Sequence, residues 1–165
     1  MSEEEIIAAE AKRIESDALY TGQANFRQAV IFGRLHTLLG LPAVLLAALA
    51  GTAIIAAWSN TLAGACAIGA TVFASADLFI SSERRAAEHS SQGVEYRQLQ
   101  HEARRLRTLA PFSEPLESRR TRLQDLLRRQ TDLNRLNRPS EWAFQYARRK
   151  IESGEVLQPG DEELK

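Results

Sequence analysis

Asp77 is a carboxylate set in an apolar run: from Val30 to Ile80 the only formal charges are Arg34 and Asp77. A carboxylate among apolar neighbours is costly and normally faces protein or water. At about 100° per helical residue, Cys66, Ala70 and Asp77 fall within about 20° of one direction, flanked by Ala63, Phe73, Ala74 and Ser81. Ile68, Val72 and Phe79 point the opposite way, and Thr71 and Ser75 on that side are expected to bond back to their own helix. The stripe Cys66, Ala70, Ala74, Asp77 and Ser81 therefore reads as a helix interface or as the wall of a polar path, where a ring of carboxylates would favour cations. The competing reading is that Asp77 reaches the membrane–water boundary or pairs with Arg84 or Arg85.

The remaining polar side chains are weaker candidates. His89, Gly93 and Tyr96 share one helical face, but a metal site needs three or four converging ligands. The more economical role is a packed contact, with Gly93 admitting a neighbouring helix and His89 and Tyr96 hydrogen-bonding across it. His101-Glu102 is no better as a metal site. Cys66 is the single cysteine, so no intramolecular disulfide or multi-cysteine centre is possible. Arginines cluster at Arg104, Arg105 and Arg107, at Arg119, Arg120 and Arg122, and at Arg128 and Arg129. From Glu83 to Glu152 there are sixteen Lys and Arg against ten Asp and Glu. Arg104, Arg105, Arg119 and Arg120 could meet anionic lipid or another anionic ligand, or simply solvate helices through i,i+4 pairs. No phosphate-binding glycine loop, nucleophile elbow or pair of catalytic carboxylates is present. We expect no enzyme activity, no cofactor, no metal and no nucleic-acid partner.

The elements that must position these residues follow from segregated composition. The formal net charge is zero and the mean hydropathy slightly negative, yet two apolar stretches lie almost back to back, Leu38 to Trp58 and Leu62 to Ile80. Each is about 20 residues long, enough as a helix to span roughly 30 Å of hydrocarbon. A buried soluble hairpin would be shorter and carry a polar face. The fold class expected is an all-α membrane protein, a two-helix transmembrane hairpin with long cytoplasmic helices forming a bundle or coiled coil. The acidic start, Ser2-Glu3-Glu4-Glu5, has the wrong sign for an export signal. The Ser59–Thr61 loop carries no Lys or Arg, whereas Arg27, Arg34, Arg84 and Arg85 flank the stretches on the other side. Both termini are therefore expected in the cytoplasm, with Trp58 at the far interface. Gly40, Ala43, Ala47, Ala50 and Gly51 keep to one side of the first stretch, at a spacing that lets helices approach closely, either within the hairpin or between copies.

Ser2 caps a helix from about Glu3, with Gly22 a possible interruption and Ile7, Ile14, Ala18 and Leu19 near one face. After the second stretch no breaker precedes Pro111, so one helix is expected from Thr61 to about Ala110, roughly 75 Å long. Ala86, His89, Gly93, Tyr96, Leu99, Ala103, Leu106 and Ala110 form its apolar seam. Pro111 to Pro115 reads as a turn. A helix with Leu116, Leu123, Leu126, Leu127, Leu133 and Leu136 follows, ended by Asn137-Arg138-Pro139. A last helix runs from Glu141 to Glu152 behind Ser140. The expected segments are 1–34, 35–58 (first span), 59–61, 62–80 (second span), 81–110 and 111–155, one unit over 1–155, with a disordered tail at 156–165.

The stretch Ala86-x-x-His89-x-x-x-Gly93-x-x-Tyr96-x-x-Leu99, followed by Ala103-Arg104, carries a pattern. Pro139-Ser140, Ala147-Arg148 and Ile151-Glu152-Ser153-Gly154 add to it. In these motifs and its two-span layout, over roughly residues 10 to 155, the chain resembles the SLATT family, two-transmembrane effector domains of bacterial nucleotide-signalled conflict systems. The resemblance implies an inner-membrane effector of antiphage defence. It would oligomerise with copies of itself and form or gate a pore in the lipid bilayer, on a signal from a separately encoded sensor or a nucleotidyltransferase product. It implies no catalytic residues. The alternative is a membrane-anchored helical scaffold that recruits a cytosolic partner. Protease added outside sealed cells is expected to leave the C-terminal tail intact; cleavage there would reverse the orientation.

Overall fold

A reciprocal cap opens the first helix. The Glu5 N–H donates to Ser2 Oγ at 3.3 Å, and the Ser2 N–H donates to Glu5 Oε2 at 2.7 Å. Glu3, Glu4 and Glu5 complement the positive end of the helix dipole. The computed structural model describes residues 2–55, 59–136 and 139–154. All of its regular elements there are helices: α1 (Glu3–Ile55), α2 (Asn60–Ile80), α3 (Ser82–Thr108), α4 (Ala110–Ser113), α5 (Leu116–Arg135) and α6 (Glu141–Glu152). The chain divides into two compact units, Met1–Gln28 with His89–Lys165, and Ala29–Glu88.

In the first unit α1 lies antiparallel to α3 and parallel to α5, as three sets of contacts show. Glu15 meets Arg107 and Asn25 meets His89. Glu4 meets Arg119 and Asp17 meets Gln130. Glu102 meets Arg129 and Tyr96 meets Asn134, so α3 and α5 run antiparallel. The core takes Ile7, Ala11, Ile14 and Ala18 from α1, and Tyr96, Leu99, Ala103 and Leu106 from α3. Ala110 joins them, with Leu123 and Leu126 from α5 and Leu116 and Leu133 partly buried at its edge. Spacings of three and four keep each set on one helical face. Leu127 and Leu136, expected in the α5 seam, are exposed. Helix α6 lies antiparallel along α1: Ala143 and Ala147 pack on Ala24, and Ile151 on Leu19.

Helix α1 does not break at Gly22. Helix propensity alone disfavours glycine there by about 1 kcal/mol relative to alanine. However, a Cβ at Gly22 would lie 3.2 Å from Tyr96 Cβ, so the missing side chain is what lets α3 approach. The helix also passes through Pro42, which removes one backbone donor without ending it.

In the second unit the α1 portion lies antiparallel to α2, pairing His36 with Asp77 and Leu46 with Gly69. The contact is made by small residues: Ala50, Ala53, Ala63 and Ala70 are buried. The expected 59–61 loop belongs instead to the start of α2. Ser59 is the N-cap of α2, its Oγ accepting from the Leu62 N–H at 3.4 Å, and Asn60 and Thr61 are helical. Most large apolar side chains of this unit are uncovered, including Val44 (66% exposed) and Phe79 (90%). Two helices are long and apolar enough to cross a membrane, and only 11% of each apolar window is buried. The core helix of a soluble protein would be mostly buried.

The single helix expected from Thr61 to Ala110 is interrupted at one residue. Ser81 adopts φ 53, ψ 45, the left-handed region, which closes α2; its N–H reaches the Asp77 carbonyl at 2.8 Å and that of Leu78 at 3.2 Å. The helix restarts at once, the Arg85 N–H donating to the Ser81 carbonyl at 3.0 Å. A non-glycine residue in this conformation costs about 1–2 kcal/mol. The proline-bounded segment also differs from expectation. Pro111 sits in the first turn of the short helix α4, where its missing N–H costs nothing. Trp58, Asn137, Arg138 and the tail 156–165 lie outside the described residues.

Leu99, fully buried in the first unit's core, sets a test of this packing. Leu99→Ala is expected to lower unfolding stability of the detergent-solubilised chain by about 2–5 kcal/mol. Phe112→Ala, at a position 91% exposed, should stay within about 0.5 kcal/mol.

Candidate functional site

Asp77 enters the hairpin contact from the last turns of α2, and α1 meets it with a histidine. The His36 imidazole donates from Nδ1 to Asp77 Oδ2 at 2.8 Å. Asp77 Oδ1 is buried and makes no hydrogen bond among the described residues. With an imidazolium the contact is an ion pair; with a neutral ring it is a hydrogen bond from Nδ1–H to a carboxylate. The arginines that could have answered Asp77 are engaged elsewhere in the same unit. Arg84 Nε bonds Glu88 at 2.7 Å, and the Arg85 guanidinium lies 5.7 Å from the centre of the Phe32 ring. The pair sits one helical turn before the left-handed residue Ser81, whose N–H bonds to the Asp77 carbonyl.

Sequence reasoning missed His36, because a charge count that treats histidine as neutral passes over it. The available signal was its place among apolar residues, where any ionisable side chain needs a partner. A turn centred on residues 59–61 also misdirects the pairing, placing residue 77 opposite residue 43 instead of 36.

The rest of the α2 stripe divides. Ala70 is buried, and Cys66 and Asp77 are partly buried, on the side facing α1; Ala74 and Ser81 are exposed. Ile68, Val72 and Phe79 point outward. Thr71 Oγ1 donates to the Ala67 carbonyl at 2.9 Å. On α1, Gly40 and Ala43 are partly buried, whereas Ala47 and Gly51 are exposed; a Cβ built on Gly40 or Gly51 meets nothing within 4 Å. Within one chain the close approach lies elsewhere: Leu46 Cδ1 comes within 3.0 Å of a Cβ built at Gly69. The hairpin thus packs a leucine on a glycine, a pairing that a search for small residues on one helix does not find.

The first unit brings His89, Gly93 and Tyr96 into one polar seam. His89 Nδ1 lies 2.9 Å from Asn25 Oδ1, and Asn25 Nδ2 donates to the Thr21 carbonyl at 3.0 Å. The Tyr96 hydroxyl donates to Asn134 Oδ1 at 2.9 Å. A Cβ at Gly93 would lie 2.9 Å from the Phe26 ring, so this glycine seats an aromatic ring. A fully buried carboxylate, Glu15, accepts from Arg107 Nε at 3.0 Å. A charge this deep requires such a partner.

The four arginines proposed for an anionic ligand do not converge. Arg119 is buried and pairs with Glu4, while Arg120 pairs with Glu3. Arg104 and Arg105 instead line an open groove of about 550 Å³ with His101, Glu102, Thr108 and Leu109. Among the described residues no three His, Cys, Asp or Glu side chains gather as a metal site would require.

No family model, curated protein or solved structure matches this chain. What fold and site define directly, over the described residues, is an all-helical protein with two helices long and apolar enough to cross a membrane, with His36 and Asp77 paired between α1 and α2. A double-mutant cycle on His36→Ala and Asp77→Asn, read by unfolding in detergent, is expected to give a coupling of about 0.5–3 kcal/mol. Additive effects would mean that the contact contributes nothing to the fold.

Proposed function

We propose that this chain is a SLATT-like membrane effector of bacterial antiphage defence, which assembles with copies of itself in the inner membrane to form or gate a permeation path. The observation that carries this reading is the ionisable pair His36–Asp77 inside an otherwise apolar hairpin. Ionisable groups among membrane-spanning segments are expensive, and they mark ion paths and relays.

Two spans cannot enclose a channel, so the reading requires several copies. Exposed Ala47, Gly51 and Ala74, unused within one chain, offer small-residue surfaces for helix association in lipid. Oligomerisation would repeat Asp77 around an axis near the cytoplasmic end of the spans, and a carboxylate ring favours cations. Gating would act at Ser81, where two backbone dihedrals of one strained residue separate α2 from α3. Such a joint absorbs a change of helix direction at low cost. The trigger would come from a separate sensor protein or a small messenger, and both termini would lie in the cytoplasm.

Dye release from liposomes, with and without the trigger, tests the proposal. The wild-type chain is expected to release small cationic dyes, with Asp77→Asn lowering the rate at unchanged oligomer size. Oligomers that never leak would favour the membrane-anchored scaffold.

A further inference from the structure

Helix α6 is amphipathic, but its outward face is not simply polar. Ala143, Ala147 and Ile151 are buried against α1. Trp142, Tyr146 and Arg149, at i, i+4 and i+7, share a face turned to the outside, with Trp142 49% exposed. Around Tyr146 two cations gather. The Arg27 guanidinium lies 4.1 Å from the ring centre and the Lys150 ammonium 5.9 Å from it, both within cation–π range. Among the described residues neither Arg27 nor Arg149 has a carboxylate at salt-bridge distance. Arg148 differs: its Nε bonds Glu152 at 2.8 Å, and this hydrogen bond and charge hold its guanidinium pKa above the usual value. Over the described residues the patch is therefore basic and aromatic, with no carboxylate at salt-bridge distance from Arg27 or Arg149.

Position adds to composition. The N-terminal end of α6 is fixed to Gln28, whose Nε2 donates to Ser140 Oγ at 2.8 Å. Along the chain, only nine residues separate Gln28 from Leu38, where the first apolar stretch begins. Tryptophan and tyrosine favour the membrane–water interface because one end of the ring is apolar and the other polar. Basic residues beside a span meet anionic headgroups at about 1 kcal/mol each, and the patch supplies both kinds of group.

We propose that the Trp142–Tyr146–Arg149 face of α6, with Arg27, docks on the anionic phospholipid headgroups of the membrane that the chain's own hairpin crosses. The lipid contact so assigned belongs to α6 and not to Arg119 and Arg120, which are engaged by Glu3 and Glu4. It rests on membrane insertion of the hairpin but not on pore formation. Docking would hold α6, and through Gln28 and Ala24 the adjoining part of α1, at the headgroup layer in a lipid-dependent way.

The chain has two tryptophans, so Trp58→Phe leaves Trp142 as the sole indole. This full-length variant is reconstituted in phosphatidylcholine vesicles with and without phosphatidylglycerol, and read by quenching with brominated phospholipid and with aqueous acrylamide. With phosphatidylglycerol, Trp142 is expected to be quenched by the brominated lipid and shielded from acrylamide. Arg149→Gln is expected to lower the docked-to-undocked ratio about fivefold, and high salt is expected to weaken docking further. Trp142 equally open to acrylamide in both lipids overturns the proposal, as does quenching indifferent to lipid charge. The reciprocal variant, Trp142→Phe, reports Trp58. Quenching of Trp58 by brominated lipid without quenching of Trp142 overturns the α6 contact alone. Absence of both overturns the insertion on which it rests.

Discussion

The hairpin's apolar surface is left uncovered by the rest of the protein, and the other features follow from that constraint. Val44, Leu38, Ile54, Ile68, Val72, Leu78 and Phe79 are all largely exposed, an apolar surface of the kind that marks contact with a membrane or a partner. In lipid the same surface costs nothing, but the backbone must then satisfy its own hydrogen bonds. Long helices with a short reversal meet that demand. In lipid there would be no hydrophobic drive to hold the helices together, and close packing and polar contacts would have to do so. The Leu46–Gly69 approach and the His36–Asp77 bond supply one of each.

The first unit obeys the opposite rule. Its core is modest in volume and rich in alanine, which lets helices come close, and charged pairs surround it. Glu3 and Glu4 serve twice there. They stabilise the start of α1 through the helix dipole and also neutralise Arg120 and Arg119 across the bundle. Glu15 with Arg107 carries the same logic into the interior, where breaking such a pair costs more than at the surface. The arginine excess that suggests a ligand-binding surface is thus largely absorbed by structure on α5, whereas among the described residues Arg27 and Arg149, beside and on α6, have no carboxylate at salt-bridge distance.

Much of the helical layout is legible in the residues. Ser2 with Glu5, the apolar face Ile7–Ile14–Ala18, the seam from His89 to Ala110 and the limits of α6 all follow from caps and three- and four-residue spacing. What spacing does not show is partnership. Gly22 reads as a weak point until Tyr96 is seen against it, and Gly69 is unremarked until Leu46 fills its space. Ser81 carries no signal of a left-handed break, since serine is acceptable in a helix. His36 is invisible to a formal charge count, and only the register of the hairpin brings it to Asp77. The proposed function leans on a family resemblance that no periodicity could supply; the partly buried His36–Asp77 pair is the physical feature offered in its support.

The central claim is that α1 and α2 present their uncovered face to lipid while Asp77 faces α1. A nitroxide scan along α2 in reconstituted bilayers measures this directly, with cysteines placed singly from residue 62 to 80 on a Cys66→Ala chain. Accessibility to oxygen should peak at residues 68, 72 and 79 with a helical period and fall at 63, 70 and 77, while an aqueous nickel complex should reach few of these positions. Free access of the nickel complex to 68, 72 and 79 would place that face in water and contradict the membrane hairpin.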